Sequence, residues 1–209
     1  MNKRYYIGRF LFRYRWFAYL LISLPMVVLR DHITADWLNW MEQYYLTWII
    51  GGILLAKGCG IRIYAARYIG WKGQPGDPLK RQLATEGPYR FTRNPLYWGN
   101  ILGFGGAAFL LKLIWYVPVA VFAIFILHQM LIAWYEEKRM LEKSGPDYQA
   151  YYDRTPRWGP KLSALFTKSD AVNVTRFPWG RVLMAELGTI GGFAGVIVVA
   201  LVKEFIVKA

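Results

Sequence analysis

Residues Leu113 to Tyr135 read LIWYVPVAVFAIFILHQMLIAWY, 23 positions without a charge, closed by the carboxylate pair Glu136-Glu137. At 1.5 Å rise per residue, a helix of this length covers a hydrocarbon core of about 30 Å. Four further apolar runs are shorter: Trp16 to Leu29, Tyr44 to Ala56, Leu96 to Leu111, and Leu187 to Val202 with Glu186 just ahead of it. Flanking Arg15, Arg30, Lys57 and Arg62 bury their stems and lift their charges to the interface, so short runs still span. The expectation is an all-α, polytopic transmembrane protein with about five membrane helices. Its 56% hydrophobic and 18% aromatic residues exceed what a soluble chain of 209 residues hides.

The basic residues set an orientation. Five precede the first run, seven lie between Arg62 and Arg93, and nine between Lys138 and Arg181, which puts 21 on one side. Four fall on the other: Arg30, Lys112, Lys203 and Lys208. Cytoplasmic loops carry the Lys and Arg excess, so the amino terminus and both long basic loops should be cytoplasmic. The expected location is a multi-pass position in a bacterial inner membrane, with membrane lipids as partners.

A net charge of +13 is also a nucleic-acid signature, but here the charges border apolar spans and interleave with Trp and Tyr. Anionic lipid headgroups fit that pattern and nucleic acid does not. The single cysteine, Cys59, excludes an internal disulfide and a cysteine-cluster metal site. The first run leads to Pro25 and Arg30 rather than a small-residue cleavage site, which reads as a retained helix. With no repeat or low-complexity linker, residues 1–209 form one domain. Its loop-like stretch Ser169 to Pro178 sets off a C-terminal helix at about 182–202.

Gly76, Pro78, Gly87 and Pro88 make the second basic loop turn-rich, and Asn94-Pro95 starts the third helix at Pro95. A helix amino terminus flanked by Arg90 and Arg93 suits a carboxylate or a polar cofactor edge, although an ordinary positive loop anchored by Tyr89 and Tyr97 also fits. Glu136 and Glu137 sit where a helix carboxyl terminus disfavours anions, so Lys138, Arg139 or a ligand should compensate them. Lys57-Gly58-Cys59-Gly60 interrupts the second run with a charge and two residues that allow close approach. The Gly99/Gly103, Gly188/Gly192 and Gly191/Gly195 spacings read as helix packing, within or between chains. His128 reads as a hydrogen-bonded interior residue. There is no strand-bound Gly-x-Gly-x-x-Gly, no Ser-His-Asp logic and no His-Glu-x-x-His.

These blocks resemble the isoprenylcysteine carboxyl methyltransferase and phospholipid methyltransferase family of integral membrane enzymes. The first block is Leu83, Gly87-Pro88-Tyr89-Arg90, Arg93-Asn94-Pro95, Tyr97 and Gly99. The second is Glu136-Glu137, Gly145, Tyr148, Tyr151, Pro156-Arg157-Trp158 and Pro160. The resemblance covers a core of about 44–160 and implies S-adenosylmethionine in a cytoplasmic pocket, with a lipidic acceptor arriving from the membrane. It implies cofactor contacts from Gly58, Gly60, Tyr89, Asn94, Pro95, Glu136 and Glu137, action at the acceptor by Arg93 and Tyr97, and no metal. Asn94 stands where most members carry His, and Asn keeps a donor and an acceptor but does not titrate. Arg93 is the expected orienter of a carboxylate or phosphate, through its bidentate fork. A nicotinamide-dependent sterol-reductase-like enzyme is the alternative, and a non-catalytic lipid-binding protein the third reading.

Overall fold

The computed structural model describes residues 3–28, 45–69, 83–111, 116–166 and 176–205, and these are helical with no strand among them. Six helices follow in order: α1 (Lys3–Arg13), α2 (Arg15–Val28), α3 (Leu46–Ile69), α4 (Pro95–Leu110), α5 (Tyr116–Arg154) and α6 (Trp179–Phe205). Short 3₁₀ turns occupy Gly87–Arg90 and Leu162–Leu165. Among the described residues two helices are long and apolar enough to cross a membrane, α3 and the Trp179–Val199 part of α6. Gly76, Pro78, Lys112, Lys208 and most of the stretch Ser169 to Pro178 lie outside the described residues, as do the ends expected at Leu29 and Tyr44.

Three boundaries differ from the sequence expectation, each for a local reason. Helix α3 carries Lys57-Gly58-Cys59-Gly60 inside it as expected, but it does not stop before Arg62, where the basic loop is expected to begin, and continues to Ile69. Lys57 is exposed on its outer side, while Gly58 is buried. Helix α5 continues well past the Glu136-Glu137 pair to Arg154, because the charged stretch after it keeps an apolar face that buries Tyr148 and Tyr151. It bends at Gly145, whose φ of 48° is left-handed and favours glycine, and Pro146 restarts the helix where a missing N–H costs nothing. Helix α6 begins at Trp179, so Glu186 lies within it rather than ahead of it.

Glycine sets the central contact. A Cβ on Gly58 of α3 would lie 2.6 Å from the Gly103 nitrogen and 2.7 Å from the Gly99 oxygen of α4. One turn further along, Gly106 meets the Gly51 oxygen at 2.6 Å in the same sense. The two backbones therefore touch along several turns, the small-residue mode of packing in lipid. The glycines of α6 behave differently: a Cβ on Gly188, Gly191, Gly192 or Gly195 would meet nothing within 4 Å, so their spacing serves no close contact with a described residue. Helix α6 is held instead by Phe193, which lies over Gly103, and by Glu186.

Below this contact an aromatic layer joins four helices. Phe104 and Phe125 stack at 4.4 Å, Tyr19 lies 5.6 Å from Phe125, and Phe193 meets Phe104 edge-on at 6.1 Å. His128 is buried beside the Tyr19 ring at 5.6 Å, and neither ring nitrogen has a partner, contrary to the hydrogen-bonded role expected for it.

Candidate functional site

Two segments far apart in sequence lie side by side above the bundle. The turn before α4 and the stretch after α5 are joined by main-chain bonds from Arg93 N to Pro156 O, 2.9 Å, and from Lys161 N to Phe91 O, 2.8 Å. Side chains add to these. Thr92 Oγ1 donates to Arg157 O at 2.7 Å and Trp98 Nε1 to Trp158 O at 2.6 Å. Gly87 initiates the turn with φ of 60° and rests on the Tyr68 ring, so no side chain fits there. Pro95 opens α4 directly after Asn94, as the Asn-Pro pair predicts.

Glu137 is the centre of this junction and is 3% exposed. Its Oε1 accepts from Arg93 Nε at 2.9 Å and Asn94 Nδ2 at 3.2 Å. Its Oε2 accepts from Arg157 Nε at 2.9 Å and from an Arg157 terminal nitrogen at 2.6 Å. One terminal nitrogen of Arg93 also reaches Oε2 at 3.5 Å and the other donates to the carbonyls of Tyr152, 2.5 Å, and Thr155, 2.8 Å, with the guanidinium 3.8 Å above the Tyr152 ring. A carboxylate buried this deeply is tolerated only when paired and hydrogen-bonded, and here it has both. Compensation of Glu137 thus comes from Arg93 and Arg157 rather than from neighbouring Lys138, which lies over the Tyr5 and Trp134 rings.

The expected fork of Arg93 toward an acceptor is already filled by a protein carboxylate. Arg157, part of the motif but not among the expected site residues, is the second clamp. The bidentate preference of a guanidinium beside an acidic pair is the signal that points to it.

Glu136 has a separate environment. It is half-buried and accepts the Tyr97 hydroxyl from α4. The Tyr97 ring lies 6.3 Å from Trp158, whose buried Nε1 has no hydrogen-bond partner. Tyr97, Glu136 and Trp158 therefore form a second face, next to the closed Glu137 cluster and open in its bonding capacity.

Tyr89 is buried, and its carbonyl accepts the Tyr151 hydroxyl at 2.9 Å. Burial pushes the phenols of Tyr89, Tyr148 and Tyr151 well above their ordinary range, so all three remain protonated. The Gly58 and Gly60 positions separate: Gly58 is filled by the α4 backbone, whereas Gly60 is exposed with nothing within 4 Å.

A polar layer beneath this face was not legible as such. Arg62 of α3 reaches Glu186 of α6 at 2.9 Å from Nε and 2.7 Å from a terminal nitrogen, and also donates to Asn100 Oδ1. Asn100 and Gln129 both donate to the Tyr19 hydroxyl, at 3.4 and 3.1 Å. Arg62 is thus a buried partner across helices rather than a snorkelling flank.

Among curated proteins, 134 residues are 27% identical to the nickel-cobalt-cadmium resistance protein NccN of Alcaligenes xylosoxydans xylosoxydans, covering 61% of this chain and 59% of that one. A stretch of 125 residues is 31% identical to the cobalt-zinc-cadmium resistance protein CzcN of Cupriavidus metallidurans, covering 60% and 53%. The chain spans less than two thirds of the length of either relative. No solved structure matches it. Residues 46–145, which hold α3, α4, the Arg93-Asn94-Pro95 turn and both glutamates, match the phospholipid methyltransferase family.

Proposed function

We propose that this protein is a multi-pass membrane methyltransferase that uses S-adenosylmethionine to methylate a lipid-like acceptor. The observation that carries the proposal is the junction itself: Arg93, Asn94, Glu136, Glu137, Arg157 and Trp158 meet at one end of the helices in a chain that matches a family of methyltransferases. The five apolar runs, α2, α3, α4, the first part of α5, and α6, are the proposed spans. The site then faces the side that holds 21 basic residues, the cytoplasm.

The residues present suit the cofactor. A sulfonium cation is favoured over aromatic faces, which Tyr97 and Trp158 provide, and the unpaired Trp158 Nε1 offers a donor to a polar edge. Glu136 and the open Gly60 complete the proposed contacts, with Tyr89, Asn94 and Pro95 shaping the turn and Glu137 holding it. When bound, the cofactor supplies an electrophilic methyl group. The chain's own task is to align the acceptor lone pair and keep water away.

The charge arrangement favours an amine over a carboxylate as acceptor. Both buried guanidiniums, Arg93 and Arg62, already face protein carboxylates, whereas Glu136 keeps lone pairs beyond the one that Tyr97 occupies. Glu136 is the group placed to meet an ammonium and receive its proton. The names of the two relatives concern metal resistance. Among the described residues no three His, Cys, Asp or Glu gather, so a part in metal tolerance here is proposed to run through methyl transfer.

Titrating the purified protein with S-adenosylmethionine and with a reduced nicotinamide cofactor tests the reading, followed by methyl-tritiated donor in membranes. Donor binding and label in an amine-bearing lipid fraction are expected. Nicotinamide binding alone would favour a reductase, and binding of neither a non-catalytic protein.

A further inference from the structure

Helix α1 carries Lys3, Arg4, Arg9 and Arg13 and no acidic residue. Its inner side is specified closely. A Cβ on Gly8 would lie 2.7 Å from Tyr135 Cβ and 3.0 Å from the Leu131 oxygen, so α1 presses directly onto the α5 backbone. Tyr5 stacks edge-on against Tyr135 at 5.1 Å, and Lys138 sits 5.1 Å over Tyr5. Leu11 and Phe12 pack against the cluster of Tyr97, Ile132 and Ala133. Helix α1 therefore flanks the Tyr97–Glu136 pair: Leu11 and Phe12 pack against the cluster that includes Tyr97, and Tyr5, Gly8 and Phe12 meet Tyr135, the residue before Glu136.

The outer side has another character. Tyr6, Ile7 and Phe10 are half exposed or more, and Arg9 and Arg13 are exposed beside them. Aromatic and aliphatic side chains interleaved with cations, on a helix at the charged end of a membrane protein, match a headgroup layer bearing negative charge. An acidic soluble partner would not use the apolar half of this face.

We propose that α1 is a strap that binds anionic phospholipid headgroups through its basic residues, and that this grip braces the Tyr97–Glu136 side of the site. The proposal rests on the membrane reading above and adds a lipid requirement to it.

The full chain in nanodiscs of phosphatidylcholine, with or without phosphatidylglycerol, tests it by two readouts that need no methyl transfer. Native mass spectrometry counts retained anionic lipid, and hydrogen exchange follows residues 131–138. Wild type should retain phosphatidylglycerol and exchange more slowly in its presence. Arg9→Gln with Arg13→Gln should lower anionic-lipid affinity about thirtyfold and abolish the protection, while Arg9→Lys with Arg13→Lys keeps both. Equal lipid retention by wild type and the Gln variant, or exchange indifferent to lipid charge, would overturn the strap. Absence of donor binding with both lipid effects intact would instead sink the methyltransferase reading alone.

Discussion

Arg157 grips one oxygen of Glu137 with two nitrogens, at 2.9 and 2.6 Å, while the other oxygen accepts from Asn94 and from Arg93, which also reaches the first at 3.5 Å. One carboxylate thus ties the start of α4, the middle of α5 and the segment after it. The motif residues that look like separate ligand contacts in the sequence are, in the fold, largely each other's partners.

Glu137→Gln should therefore act on the fold first. It removes the charge between two guanidiniums at a site 3% exposed, and breaking a buried pair from one side costs about 3 kcal/mol. Thermal unfolding in detergent should shift down clearly. Glu136→Gln should leave the midpoint nearly unchanged and lower donor affinity. Equal midpoints for the two variants would return Glu137 to a solvated, ligand-facing role.

Asn94 follows the same logic. Its amide donates to Glu137 Oε1 and, at 3.4 Å, to Arg157 O, so Asn94→Leu leaves buried acceptors short and should cost about 1–2 kcal/mol. Asn94→His retains a ring donor and should keep most of that stability. Comparing the two midpoints with their donor affinities decides whether Asn94 serves the protein or the cofactor. A stable Asn94→Leu protein with weakened donor binding would favour the cofactor.

What the sequence made legible was the periodic and the local. Apolar runs located helices, Asn94-Pro95 marked a helix start, and the glycine spacing of Gly99 and Gly103 foretold a close backbone contact. The extension of α3 past Arg62 was hidden because Arg62 and Arg67 imitate the start of a basic loop, while Ala65, Ala66 and Tyr68 beside them are buried in the fold. The Arg62–Glu186 pair was hidden for a different reason. Its partners are 124 positions apart, and nothing local says that a flanking arginine turns inward.

Gly58 and Gly60 offer a clean separation of packing from binding. Gly58→Ala puts a methyl group 2.6 Å from the α4 backbone, where overpacking costs about 1–3 kcal/mol. A Cβ on Gly60 meets nothing within 4 Å, so Gly60→Ala should raise stability by about 0.5–1 kcal/mol through helix propensity. If Gly60 faces the cofactor, a bulky Gly60→Leu change weakens donor binding without lowering the midpoint. Unchanged binding removes Gly60 from the site.

The five-span proposal places Ser163, exposed after α5, and Lys208 on opposite sides of the membrane. Cysteine introduced at each position in a Cys59→Ser background should react with an impermeant reagent from different sides of sealed vesicles. Labelling of both from one side would require an even number of spans between them and would overturn the arrangement.

The last expectation concerns α6, which lies beyond the stretch matched to the family. Arg62 and Glu186 are each about one-tenth exposed, and in a membrane an unpartnered charge at either position is costly. Glu186→Met alone should destabilise by about 3 kcal/mol, because the Arg62 guanidinium loses its counter-charge while staying buried. Arg62→Met alone should do the same to Glu186. The double change to Met at both positions should recover most of the loss, since an apolar pair of similar volume needs no compensation. A thermal-unfolding double-mutant cycle measures this directly. Additive single effects would mean that the two residues act independently, and that α6 is held to the core by Phe193 and its apolar neighbours alone.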